Sequence, residues 1–420
     1  MRQYLEQTSF YRKTSSQLVA SGALKSGPAT ISSVYFLNNI RIADGGPRYE
    51  PSIVSLGEGL HQLGVLCFAA APFYPLSRER QQHLLEVDPA VHPLDCDVIV
   101  VDHSWFLGDG DVGFGPTGGN EGVGLRVAQL EALVAQRGRR ARVVLVDPCD
   151  APFEIWQPWF PRFDKIFRAH LNRYGFKSSN MVPSAFGFTN RMIAALKPEM
   201  PWDQRAPVVL NTFRILHSVR SKALDVLDKV LSPELGRRVW NDNFAVPADA
   251  EAQFLHEVTG QRHNLAYYAA IGGVQTVAAF GGSEFEAAPD WVRAVGGRFD
   301  AGRAHRMWAA IGRRARIGGY TPWRSRTAVS QFDSWRFWET LGSGTVAFHV
   351  DLDLYGAMLP VQPVNGTHYV GLDLSSEESV REGIEAARPH FPAVAEAGRA
   401  WALEHYSPVA IARHFLSELA

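Results

Sequence analysis

From residue 32 onward, short apolar runs alternate with amphipathic segments of helical spacing. The runs occupy residues 34–39, 65–70, 97–102, 142–147 and 165–170. Between the first two runs, apolar residues recur at the spacing of one helical face, and residues 125–138 form another such segment. Apolar runs of this length between amphipathic helices predict a parallel sheet covered on both faces. Right-handed crossovers then place the carboxyl ends of the strands, with their loops, along one edge.

A proline-rich, charged stretch at residues 198–207 divides the chain into two such halves. After it the pattern restarts with a strand at 207–213 and a helix at 218–231, and it continues to a helix at about 302–316. We therefore predict an α/β protein in four parts: an N-terminal extension at 1–30, a first domain at 31–200, a second domain at 201–390 and a C-terminal segment at 391–420. A length of 420 residues is enough for two cores of ordinary size.

The segment 330–344, SQFDSWRFWETLGSG, carries the most informative local pattern. It predicts a helix over 333–342 and a strand over 345–348, with Asp333 or Ser334 as the N-cap of the helix. Phe337 and Leu341 stand four residues apart on one helical face, and Glu339 lies on a different face. The pattern therefore predicts a glutamate in a short helix that ends in a glycine turn.

Glu339, four further residues, Gly344 and an apolar strand together resemble the donor-site signature of glycosyltransferases with the GT-B fold. Residues 351–374 and 405–416 are similar to segments of bacterial group-1-like transferases, and the similarity is strongest over about 316–420. The resemblance implies two Rossmann-like domains facing a central cleft, with the last helix crossing back to the first domain. It also implies that Glu339 opens towards the ribose hydroxyls of a nucleotide sugar, with Gly344 allowing close backbone approach.

One position departs from this family. Retaining members carry a second acidic residue eight positions before the glutamate, where this chain has Gln331. Either Asp333 substitutes for that acid, or the enzyme does not use the pair. The departure leaves open a catalytically silent protein of the same fold that binds a nucleotide or a glycan.

Two basic segments are candidates for the rest of the donor site. The first, 211–222, follows the first strand of the second half and contains Arg214, Arg220 and Lys222. Cations beside a helix N-terminus at a strand end would hold a diphosphate and stabilise the charge of the leaving group. In the second segment, 313–326, Tyr320 or Trp323 could stack on a nucleobase. The plainer interpretation of both segments is an exposed basic surface.

The acceptor side of such a cleft would lie at strand ends of the first half. Inverting transfer needs a carboxylate or a histidine that takes the proton of the acceptor hydroxyl. The candidate bases are Asp44, Asp102 with His103, and Asp147 with Asp150, and Arg48 and Glu50 are candidate acceptor contacts. Neighbours on a strand point to opposite faces, and an aspartate at a strand end often caps the next helix. The identity of the base therefore stays open, with Asp102 preferred.

The composition indicates which binding partners and which cellular compartment to expect. The chain has 42 Lys and Arg against 43 Asp and Glu, so no global field favours nucleic acid or an anionic membrane. Sugar transfer to nucleic acid is suggested only by the basic segment 313–326. Three separated cysteines, a polar N-terminus and the lack of a membrane-length apolar run predict a cytoplasmic protein.

The motifs present in the sequence favour a transferase that needs no metal. The sequence contains no HExxH, Walker or EF-hand pattern, so we expect no metal and no cofactor. The leading hypothesis is therefore a metal-independent enzyme that moves a sugar from a nucleotide-sugar donor to a hydroxyl of a glycan or small-molecule acceptor. The oligomeric state stays open.

Overall fold

The computed structural model describes residues 31–38, 49–79, 82–102, 105, 120–136, 141–148, 160–175, 178–212, 217–232, 235–239, 246–287 and 327–420. The predicted extension at 1–30 and the predicted helix at 302–316 lie outside the described residues.

The first half is built on a parallel sheet. In chain order its strands are β1 (Ser33–Leu37), β2 (Leu66–Ala69), β3 (Phe73–Pro75), β4 (His83–Leu85), β5 (Val98–Asp102), β6 (Arg142–Asp147), β7 (Lys165–Arg168) and β8 (Met181–Pro183). The sheet has the order β2-β1-β5-β6-β7-β8, while β3 and β4 pair in a separate antiparallel ribbon. The order reverses between β1 and β5, so the carboxyl ends of these two strands form a topological switch point.

The helices described in the first half are α1 (Pro51–Gln62), α2 (Asn120–Gln136) and α3 (Asn190–Ala195). Glu50 is the N-cap of α1, where its carboxylate accepts from the backbone N–H of Ser52 at 3.4 Å. Pro51 suits the first helical position because the N–H that it lacks has no partner inside a helix. Ile53 and Leu60 of α1 are fully buried in the core of this half.

The second half repeats the architecture. Its strands are β9 (Ala206–Asn211), β10 (Gly236–Val239), β11 (Val274–Ala278), β12 (Ser283–Glu286), β13 (Thr327–Ser330), β14 (Val346–Val350) and β15 (Val370–Leu372). A parallel sheet has the order β10-β9-β11-β14-β15, and β12 pairs with β13 in an antiparallel ribbon. Here the switch point lies between β9 and β11. The predicted α/β class with two doubly wound parallel sheets is confirmed.

The helices described in the second half include α4 (Ser218–Val230), α5 (Ala250–Val258), α6 (Leu265–Gly272), α7 (Trp335–Gly342), α8 (Glu377–Ala387), α9 (Phe391–Tyr406) and α10 (Pro408–Ser417). Phe391 and Trp401 of α9 belong to the core of the second half. Ala412 and Phe415 of α10 belong instead to the core of the first half, where α10 packs on α1. The end of the chain therefore contributes to both cores.

Within the described ranges, no helix combines the length and apolar character required to cross a bilayer.

Candidate functional site

The switch point of the second sheet is where the candidate donor residues meet. Thr212 directly follows β9, residues 279–282 follow β11, and α7 begins beside them, since Ser334 Oγ donates to the carbonyl of Ala279 at 3.4 Å. Ligands of open α/β sheets bind outside the carboxyl ends of the strands at such a point. The local geometry of Glu339 follows from this placement.

Glu339 lies one turn into α7 and is 5% exposed. Ser334 caps this helix, with its Oγ accepting from the backbone N–H of Phe337 at 3.3 Å, which confirms one of the two predicted N-caps. The hydroxyl of Tyr267 donates to Glu339 Oε2 at 3.0 Å. Burial raises the pKa of the Glu339 carboxyl, while the nearby Arg336 charge and the Tyr267 hydrogen bond oppose that rise.

Thr212 links the end of β9 to the same helix. Arg336 Nε donates to Thr212 Oγ1 at 2.8 Å, and the Thr212 side chain also shares a hydrogen bond with the Tyr267 hydroxyl. Positive charge surrounds the glutamate, because Arg191 and Arg262 act on it electrostatically in addition to Arg336. The arrangement can bind a polyhydroxylated, anionic ligand through one carboxylate and several guanidinium groups.

Arg220 and Lys222 lie in the first turns of α4. Arg220 Nε donates to the carbonyl of Phe280 at 3.0 Å, so its guanidinium lies on the loop that follows β11. Lys222 Nζ pairs with Glu284 of β12 at 2.8 Å. Of these two predicted donor residues, Arg220 is the one attached to the switch-point loop.

Gly282 makes that loop possible. Its φ is +93°, in the region that favours glycine, and a Cβ there would stand 1.9 Å from the carbonyl oxygen of Ser330. The loop after β11 and the end of β13 therefore touch through backbone atoms.

Gly344 lies at the other edge of the sheet. It ends the turn between α7 and β14 with a φ of +62°, and its carbonyl accepts a hydrogen bond from the Arg205 guanidinium. Because this position precedes β14, it lies at the amino end of the strand, away from Thr212 and the switch point. A conformational role in the turn accounts for this glycine.

Of the predicted acceptor residues that the structure describes, Asp102 and Asp147 lie at strand ends. Asp102 ends β5 at the first switch point and is 2% exposed. Asp147 ends β6 and forms a buried ion pair with Arg168 of the neighbouring strand β7. Glu50 caps α1, as described above. Seven other candidates lie outside the described residues, namely Asp44, Arg48, His103, Asp150, Arg214, Tyr320 and Trp323.

His170 is a strand-end residue that was not among the sequence candidates. It lies just past β7 with a φ of +60°, a conformation that histidine adopts infrequently. Its Nδ1 accepts from the backbone N–H of Asp333 at 3.2 Å, which joins the carboxyl edge of the first sheet to the start of α7. Gln331, two residues before Asp333, has a φ of +56°. Strained residues of this kind cluster at functional sites.

Arg191 of α3 forms a second contact between the halves, and no sequence pattern pointed to it. Its guanidinium lies 2.5 Å from His263 Nδ1, 3.1 Å from the hydroxyl of Tyr268 and 3.2 Å from the hydroxyl of Tyr49. Desolvation by burial lowers the pKa of His263 to about 3, and the charge of Arg191 acts in the same direction. His263 is therefore neutral and accepts from Arg191.

Among the described residues, no three His, Cys, Asp or Glu side chains are grouped so that they could hold a metal ion.

Comparisons with known proteins give structural likenesses only. No family model matches the chain, and no curated protein matches it. A glycosyltransferase from Rickettsia africae ESF-5 is 9% identical, covering 93% of this chain and 98% of its own, with a TM-score of 0.44. An alpha-glucosyltransferase in complex with UDP and mismatched DNA is 10% identical, with 93% and 100% covered and a TM-score of 0.49.

TarM of S. aureus is 8% identical, with 76% of this chain and 55% of its own covered and a TM-score of 0.38. All three are glycosyltransferases, the class whose GT-B fold the sequence resembles. Their TM-scores lie below 0.5, so the likeness carries no argument about the reaction. The two-sheet fold is established by the strand order of this chain.

Proposed function

We propose that this protein is a glycosyltransferase that uses a nucleotide-sugar donor. The observation that carries the proposal is Glu339, a buried carboxylate among arginines at the switch point of the second sheet. An ionised carboxylate only accepts hydrogen bonds, so its ligand must present hydroxyl or N–H groups. A nucleotide fits both features of the site, because its ribose diol supplies hydroxyl donors and its diphosphate carries negative charge that complements the surrounding arginines.

The diphosphate would bind the cations at the start of α4. Arg220 is held on the loop after β11, and we assign Arg214 and Lys222 to the same group from their place in the sequence. When the glycosidic bond breaks, negative charge develops on the diphosphate, and fixed guanidinium groups stabilise that charge more than the ground state. Because arginine supplies this charge, we propose transfer without a divalent metal.

The acceptor would bind at the carboxyl edge of the first sheet. Asp102, at the first switch point, is the proposed base, and Asp44 and His103 are further candidates from the sequence. Asp147 is less suited to this role because Arg168 already neutralises it. Cys67 and Cys96 are free thiols, which suits the cytoplasm as the compartment that we propose.

Calorimetry with UDP, ADP, GDP and their glucose conjugates tests the donor site. We expect one of them to bind, with affinity falling at least about tenfold in Glu339→Ala, since a hydrogen bond to a charged group is lost. Glu385→Ala, an exposed glutamate on α8, is the matched control and should bind as the wild type does. Equal binding by the wild type and Glu339→Ala would remove Glu339 from the site. Transfer that survives EDTA would support metal independence, and transfer lost to EDTA would contradict it.

A second candidate function is donor binding without transfer. Gln331 favours it, because an amide cannot supply the charge that an acidic residue would place there. The two functions are separated by product analysis with a broad acceptor screen that includes glycans and duplex DNA. Donor binding with neither transfer nor hydrolysis would favour the silent protein.

A further inference from the structure

We propose that Tyr267 is a positioning residue, which together with Thr212 and Arg336 orients the carboxylate of Glu339 so that it discriminates a vicinal diol from a deoxy sugar in the nucleotide. This inference rests on the proposed donor site.

The four side chains form a chain of hydrogen bonds with one direction. Arg336 has only donors, and its Nε–H donates to Thr212 Oγ1 at 2.8 Å. The Thr212 hydroxyl is also hydrogen-bonded to the hydroxyl of Tyr267. Tyr267 in turn donates to Glu339 Oε2 at 3.0 Å. Since the chain starts at a pure donor and ends at a carboxylate, each hydroxyl donates towards Glu339.

The residues of this hydrogen-bond chain come from three separate segments of the second half. Thr212 follows β9, Tyr267 lies in the first turn of α6, and Arg336 and Glu339 lie on α7. The backbone of Tyr267 is fixed as well, because its N–H donates to the side chain of Asn264, the N-cap of α6, at 3.1 Å. The position of the carboxylate therefore depends on the tertiary structure and not on the rotamer preference of one helix.

Burial gives these hydrogen bonds their effect. Thr212, Tyr267 and Glu339 are all buried, so bulk water cannot replace a lost partner. Burial raises the pKa of Glu339, and the Tyr267 hydrogen bond lowers it. The hydrogen-bond chain thus favours the ionised form of Glu339. The other acceptor sites of this carboxylate would receive the two hydroxyl protons of a diol.

The consequence is a specificity that Tyr267 controls without touching the ligand. A correctly oriented carboxylate binds two vicinal hydroxyls, whereas a deoxy ligand offers only one. A carboxylate that can rotate loses most of this difference.

The test compares the binding of UDP, ADP and GDP with that of their 2′-deoxy forms by calorimetry. We expect the wild type to prefer the ribose form by about tenfold, the effect of one hydrogen bond to a charged group. In Tyr267→Phe this preference should fall to about twofold through loss of affinity for the ribose form. Tyr406→Phe is the matched control, because it removes a buried hydroxyl that bonds the backbone of Val361 and keeps the ring that packs on Trp338.

A second readout on the same variants reports the hydrogen bond itself. The pKa of Glu339 can be followed by NMR with ¹³C-labelled glutamate, with Glu339→Gln identifying the signal. It should rise in Tyr267→Phe and stay constant in Tyr406→Phe. If folded Tyr267→Phe keeps its ribose preference or its Glu339 pKa unchanged, the positioning role of Tyr267 is overturned, whereas the proposed function is not. A wild type that binds none of the nucleotides overturns the proposed function together with the inference.

Discussion

Gly59 of α1 is the position where adding one methyl group most sharply tests how the end of the chain packs. A Cβ built there would stand 1.9 Å from the carbonyl oxygen of Pro408 and 2.8 Å from Cβ of Ala412 on α10. Both neighbours belong to the helix that carries the chain end into the first core. A backbone carbonyl cannot rotate away, so α10 itself would have to shift.

The magnitude of the effect follows from two opposing contributions. Alanine in a helix interior gains about 0.5–1 kcal/mol over glycine, whereas overpacking a close-packed contact costs about 1–3 kcal/mol. We expect Gly59→Ala to be destabilised by about 1–2 kcal/mol. Gly57→Ala in the same helix is the control, because its Cβ would meet the flexible end of Leu84 at 3.2 Å. Its stability should stay within about 1 kcal/mol of the wild type.

The assay is urea denaturation of the full chain followed by circular dichroism, with the midpoints of the two variants compared. A low midpoint for Gly59→Ala beside a near-normal midpoint for Gly57→Ala is the expected result. Equal midpoints for both variants would refute the packing of α10 on α1.

Three further predictions concern the buried charges. Arg191→Met should lower the free energy of unfolding by about 1–3 kcal/mol, because three polar groups lose their donor. Substitution of an exposed arginine, Arg381→Met, is the control in the same denaturation assay. Equal losses of stability in the two variants would contradict the role of Arg191. Burial lowers the folded-state pKa of His263 to about 3, below the usual value of about 6.5. The stability present above pH 6.5 is therefore lost as the pH falls, at up to about 1.4 kcal/mol per pH unit. A His263→Asn variant should show a flatter stability profile over pH 4–6.5, and a profile as steep as that of the wild type would contradict it. Burial raises the pKa of Glu339, so the stability of the fold decreases as the pH rises through that pKa. At pH 7, Glu339→Gln should therefore unfold at a urea midpoint equal to or above that of the wild type. A clearly lower midpoint would count against the buried carboxylate.

The architecture was predictable because both sheets are made of strongly apolar strands. The strand predicted at 142–147 has those bounds in the structure, and the helix predicted at 333–342 spans Trp335–Gly342. Strands of three residues, such as β3, β4 and β15, escaped prediction because so short a segment shows no periodicity. They are defined by their partners in space.

The candidate site was also predictable only in part. The sequence pointed to Glu339 because its helix and glycine turn form a continuous local motif. It did not point to Tyr267 or Thr212, because Tyr267 lies 72 positions from Glu339 and Thr212 lies 124 positions from Arg336. Only the fold brings these residues together.

The ligand contact expected of Gly344 rests on its spacing from the glutamate alone. In the structure, the turn that this glycine forms lies at the amino end of β14.

A crystal structure of the full chain with a bound nucleoside diphosphate would show whether Glu339 binds the ribose of a nucleotide. We expect a ribose hydroxyl within about 2.6–3.2 Å of the Glu339 carboxylate, with the diphosphate beside Arg220. A nucleotide bound with its ribose away from Glu339 would contradict it.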